Sequence, residues 1–71
     1  MVQDEIRYYD VLVELKKLRL KLGLTQEQLA QKAELPRTTV TKIESGTYNP
    51  TLNTIMVLAS AMDKKIQLRL I

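Results

Sequence analysis

"TQEQLAQKAELPRTTVTKIESG", residues 25–46, is the stretch on which the reading of this chain turns. Thr25 and Gln28 stand at the spacing of a capping box, in which the threonine hydroxyl takes one free helix N–H and the glutamine reaches back to the cap. The residues from Gln26 to Ala33 contain neither glycine nor proline, so a helix over about 25–33 follows. Pro36 lacks the N–H that a helix interior needs but fits a first turn, which starts the next helix there and runs it over about 36–44. Only about three residues around Glu34 remain for the turn, and two short helices so closely joined cross steeply, at about 90 to 120°.

The second of these helices has two unlike sides. Val40 and Ile43 point into the domain, while Thr38, Thr41, Lys42 and Ser45 point away and Arg37 stands at the N-terminal end. Hydroxyls and two long cations suit a DNA major groove, where arginine and lysine donate to the guanine edge and threonine meets a base edge or the thymine methyl. No aromatic residue interleaves this face, so stacking on unpaired bases is unsupported. Thr25 and Gln26 lie where free helix N–H groups receive a phosphate, and Thr47 and Asn49, in the following loop, are short polar groups placed to grip the backbone on the other side.

Outward from this centre, residues 5–22 contain no glycine or proline, and Val11, Leu15, Leu18 and Leu22 fall within about 60° of one another on a helix. Ile6, Tyr9, Val13 and Leu20 form a second, looser stripe nearly opposite, as in a helix that is either sandwiched or touching something outside its own subunit. Gly23 closes this helix and Gly46 closes the one after the turn. Thr51 caps a last helix over about 51–62, with Leu52, Ile55, Met56, Ala59 and Met62 as its expected inner face. Residues 65–70 then alternate polar and apolar, which reads as an edge strand. A lone strand leaves its backbone groups unpaired, so Ile66, Leu68 and Leu70 are expected to meet a second copy in a homodimer.

The chain has 71 residues, a single domain over 1–71 near the lower size limit for a self-sufficient core. With no cysteine and no histidine, disulfides, thiol chemistry and the usual zinc, haem and iron-sulfur ligand sets are excluded, and no cofactor is expected. The eight acidic residues are spread over charged helix faces, which argues against an enzyme. The net charge of +3 is unevenly placed. Residues 1–15 carry Asp4, Glu5, Asp10 and Glu14 against Arg7, whereas residues 16–42 carry seven cations against Glu27 and Glu34, a field that attracts a polyanion. No stretch has the length of apolar sequence that a signal or a membrane span needs, so a cytoplasmic location is expected.

The run "LGLTQEQLAQKAELPRTTVTKIESGTYNPTLNTIMVLASAM" closely resembles the Cro/repressor-type, or Xre, helix-turn-helix family, over about residues 15–62. The resemblance implies an all-α, lambda-repressor-like bundle of four helices, here with a C-terminal β-strand that pairs across the dimer in place of a fifth helix. It places DNA contacts on Gln26, Arg37, Thr38 and Lys42, with Thr41 and Thr47 as contributors, and gives Gln26 the added task of bracing the first residue of the recognition helix. It also pairs Arg19 with Glu44. Glu34 and Asp63 stand where the family commonly has glycine. The strand resembles HipB-type antitoxins and the long first helix HigA-type ones. The leading expectation is therefore a sequence-specific repressor that binds double-stranded DNA as a homodimer on an inverted repeat. In that reading it is the antitoxin of a toxin-antitoxin operon, with Ile6, Tyr9, Val13 and Leu20 seating a toxin. The alternative is a stand-alone phage or chromosomal regulator without a toxin partner.

Overall fold

The structure, a computed structural model, describes residues 3–65, with side chains from residue 11 onward. Four helices follow in order: α1 (Gln3–Lys21), α2 (Gln26–Ala33), α3 (Arg37–Ser45) and α4 (Leu52–Ala61). Together they form an all-α bundle in which α2 packs on α3 and α4, and α1 closes over α3 and α4. The expected strand and its residues Ile66, Leu68 and Leu70 lie outside the described residues, and Lys65 has no regular structure.

Local chemistry explains where the helices begin. The Thr25 hydroxyl accepts from the Gln28 amide at 3.0 Å while the Thr25 amide donates to Gln28 Oε1 at 2.8 Å, so the capping box read from the sequence is present. Thr51 caps α4 through the Thr54 amide at 3.2 Å. Pro36 stands just ahead of α3, not inside it. Its extended backbone (φ −62°, ψ 143°) turns the chain in, and its carbonyl accepts from the Thr39 amide at 3.0 Å.

The helices end by one device used four times. A residue in the left-handed region follows each helix: Gly23 (φ 74°), Glu34 (φ 57°), Gly46 (φ 81°) and Asp63 (φ 61°). The next amide then bonds back into the last turn: Leu24 to the Arg19 carbonyl at 3.1 Å, Leu35 to Ala30 at 2.9 Å, Thr47 to Lys42 at 3.0 Å and Lys64 to Ala59 at 2.9 Å. Leu24 and Leu35 then drop onto the core, the apolar contact that accompanies this ending. The turn between α2 and α3 is short because Glu34 and Leu35 both belong to this closing motif.

Leu15, Leu29, Ala30, Ala33, Val40, Ile43, Ile55, Leu58, Ala59 and Met62 form the core, with Val11, Leu12 and Leu18 among those packed against it. Three residues assigned inward from the sequence face out: Leu22 (50% exposed), Leu52 (42%) and Met56 (48%). Leu22 has left α1 and sits in the turn. α4 is apolar nearly all round, so its sequence has no single stripe, and its contacts with α1 and α2 select Ile55, Leu58, Ala59 and Met62 instead. That set has the i, i+3, i+4, i+7 spacing of one helical face.

Candidate nucleic-acid interface

α3 is anchored from beneath by Val40 and Ile43, which are 1% and 4% exposed. With those two seated, the helical period turns Arg37, Thr38, Lys42 and Ser45 to the surface, where all four are exposed. Among the described residues, the side chains of Arg37, Thr38, Lys42 and Asn49 have no hydrogen bond or ion pair. Their donors are uncommitted and available to an external partner.

Behind this face lies a polar cluster. Arg19, reaching over from α1, is buried, and its Nε and Nη2 donate to the two carboxylate oxygens of Glu44 at 2.7 and 2.9 Å. The third contact, from Nη1 to the Leu24 carbonyl at 2.6 Å, pins the α1–α2 turn to the same guanidinium. Both partners are nearly closed to solvent, with side chains 9% and 7% exposed. Burial pushes the Glu44 carboxyl up, but hydrogen bonds from Arg19 and Gln26 and the charges of Arg19 and Lys16 outweigh it, holding the group below its ordinary value of 4.5. The carboxylate is therefore ionised at neutral pH, and no buried side-chain polar atom among the described residues lacks a partner.

Gln26, half-buried at the start of α2, completes the cluster. Its Nε2 donates to Glu44 Oε1 at 2.9 Å, and its Oε1 accepts from the Thr41 hydroxyl at 2.8 Å. The resemblance implied a brace to the first residue of the recognition helix, but Gln26 is tied one and two turns further on, to Thr41 and Glu44. Sequence reasoning missed both bonds, since nothing local announces a contact across 15 or 18 residues.

Two other expected contact residues already have local work. The Thr25 hydroxyl is the α2 cap, and the Thr47 hydroxyl lies 3.0 Å from Ser45 Oγ and 3.3 Å from the Lys42 carbonyl, shaping the loop that presents Asn49. Each keeps lone pairs or backbone groups for a further partner. Lys16 joins this edge of the site: it lines a shallow groove of ≈ 280 Å³ with Leu12, Val13, Ser45, Tyr48 and Asn49, placing a cation beside the end of α3. Of the stripe assigned to a partner, Val13 is half-buried in that groove and Leu20 is 58% exposed, while the side chains of Ile6 and Tyr9 are outside the described set.

A capped α2, a turn of three residues closed in the left-handed region at Glu34 and an α3 with bare cations on its outer face form one recognisable unit. Its family model, described as "Helix-turn-helix", matches residues 15–68. The chain belongs to the helix-turn-helix family. Within it, the fold is that of Cro/Xre-type DNA-binding transcriptional regulators. An uncharacterised HTH-type transcriptional regulator of Archaeoglobus fulgidus is 36% identical over 53 residues, covering 75% of this chain and 76% of that one. The immunity repressor protein of Bacillus phage phi105 is 44% identical over 48 residues, 68% of this chain but 33% of the phage protein. The crystal structure of the wild-type restriction-modification controller protein C.Esp1396I superposes with a TM-score of 0.77 at 33% identity, covering 82% of this chain and 74% of the other. Among the described residues no helix is long and apolar enough to cross a membrane, and no group of acidic residues is arranged to hold a metal ion.

Proposed function

We propose that this helix-turn-helix protein is a transcriptional repressor that binds an inverted-repeat operator as a homodimer. In each subunit α3 lies in a major groove, with Arg37, Thr38 and Lys42 facing base edges. Thr25, Gln26, Thr47 and Asn49 flank it on the phosphates and set its position. The observation that carries this reading is the contrast across α3: one side is locked into the core by Val40 and Ile43, while Arg37, Thr38 and Lys42 are exposed and unbonded. The regulator and repressor names of the relatives support the same activity, and such a protein is a binding module and not an enzyme. Pairing is assigned to the Ile66, Leu68 and Leu70 segment, and the protein is expected to act in the cytoplasm.

The form without a toxin partner is preferred, because the relatives are regulators and a phage repressor. The antitoxin form is favoured by one feature, the exposure of Leu20 on the same side of α1 as Val13. Co-purification with the product of the neighbouring gene decides between the two.

Protection mapping of the DNA upstream of the chain's own gene tests the main reading. Two protected half-sites about 34 Å apart and related by two-fold symmetry are expected, with protection needing more protein in Arg37→Ala or Lys42→Ala. Unsymmetrical protection, or none, refutes it.

A further inference from the structure

Thr41 was expected to contribute to DNA binding by touching it. The bonds it makes point elsewhere, and the inference that follows rests on the repressor reading above.

The Gln26 amide lies between two unlike partners. An ionised Glu44 can only accept, so the amide nitrogen has to face it, and the 2.9 Å contact between Nε2 and Glu44 Oε1 meets that demand. Oε1 is thereby turned to Thr41, whose hydroxyl donates to it at 2.8 Å. A threonine within a helix more often returns its hydroxyl to a carbonyl of the preceding turn, whereas this one is spent across the helix-turn-helix on another element. Two consequences follow from counting hydrogens. The single hydroxyl proton of Thr41 is committed, leaving only its methyl and lone pairs for a base. The Gln26 amide, held at both ends, keeps one N–H unspent at the start of α2, beside the free backbone N–H groups of that helix.

We infer that Thr41 is a positioning residue: it holds the Gln26 side chain so that its second Nε2–H meets a DNA phosphate, and its hydroxyl reads no base. Glu44 dictates which way round the amide sits, and Thr41 keeps it from swinging. The bond joins the middle of the recognition helix to the start of α2, so the phosphate contact and the groove-facing residues of α3 are held in one register.

The test is a double-substitution cycle between Thr41→Val and Gln26→Ala, with Thr41→Ser as the conservative variant and Thr41→Ala run in parallel. Binding is measured on the upstream duplex and on a scrambled duplex of equal length. Losing one such tether lowers affinity by about 2- to 13-fold. That loss is expected in Thr41→Val on both duplexes alike, to be small in Thr41→Ser, and to vanish when Gln26 is already alanine. In the DNA-free protein, the Gln26 side-chain amide resonances are expected to move in Thr41→Val and to stay near their wild-type positions in Thr41→Ser. A loss that persists in the Gln26→Ala background, a loss confined to the upstream duplex, or unmoved amide resonances overturns the assignment. If the wild-type protein binds neither duplex, the repressor reading fails, and the resonances still test the brace by themselves.

Discussion

Replacing Glu44 by alanine leaves the Arg19 guanidinium, 9% exposed on its side chain, without the two carboxylate oxygens that accept from it at 2.7 and 2.9 Å. The Gln26 amide loses an acceptor at 2.9 Å in the same step. Breaking a buried pair from one side costs about 3–5 kcal/mol, because the remaining charge is stranded. A chain of 71 residues has a total stability of only about 4–11 kcal/mol, so this substitution removes about a quarter or more of it. A fall in Tm beyond about 10 °C is expected, at roughly 4–8 °C per kcal/mol for domains of this size. Replacing both partners, Arg19→Met with Glu44→Leu, leaves no charge behind and should restore stability to within about 1 kcal/mol of wild type. DNA binding is not expected to return with it, since the clamp on α3 and Gln26 is gone. The same pair has a pH signature. The folded protein holds Glu44 below its ordinary value of 4.5, so its contribution is complete above that value and is lost as pH falls through the lowered one. Urea denaturation followed by circular dichroism at neutral pH and below pH 4.5 reads both effects. Glu44→Gln should flatten the acid limb of the stability curve. A cost under about 1 kcal/mol for Glu44→Ala, with the two single substitutions simply additive, would falsify the account of a strongly coupled pair.

Other predictions bear on the turn, the core and the DNA-facing side. Glu34→Gly relieves a left-handed residue (φ 57°) whose strain is about 1–2 kcal/mol, and the added chain entropy of glycine takes back about half. A net gain of about 0.5–1 kcal/mol is expected in thermal melting, and a loss would show that the Glu34 side chain does something unseen. Ile55→Ala, at a site 1% exposed, should cost about 2–5 kcal/mol, whereas its neighbour Met56→Ser, 48% exposed, should cost under about 1 kcal/mol in the monomer. Similar costs at the two sites would mean that α4 is rotated from the orientation described. Lys42→Ala should weaken operator binding by about 1–3 kcal/mol and blur preference at one base pair, while loss of a lysine that touches only phosphate lowers the salt slope by about one for every sequence. Competition with single-base operator variants across a salt series separates the two.

Helix ends were legible because their determinants lie within a few residues of one another. Thr25 and Gln28 announced the start of α2, while Gly23 and Gly46 marked the left-handed closures of α1 and α3. The two-sided pattern around Val40 and Ile43 likewise foretold that Arg37, Thr38, Lys42 and Ser45 would be exposed, but not that Thr41, placed with them, is half-buried against Gln26. Glu34 and Asp63 were suspected as left-handed only through the family resemblance, because their own chemistry does not call for that conformation. The inward face of α4 was a different case: a helix apolar nearly all round contains no period to decode, and packing against α1 and α2 chose Leu58 over Leu52 and Met56.

The functional surface divides along the same line. Residue type and spacing alone marked Arg37, Thr38 and Lys42 as exposed on α3, since solvent exposure on a short capped helix is a local matter. The cluster that steadies them joins residues 15, 18 and 25 positions apart through Thr41, Gln26, Glu44 and Arg19. The Arg19–Glu44 pair was expected through the family resemblance alone, whereas the bonds of Gln26 to Thr41 and Glu44 were not. Hydrogen bonds act over about 3 Å, and only the fold brings such distant residues that close.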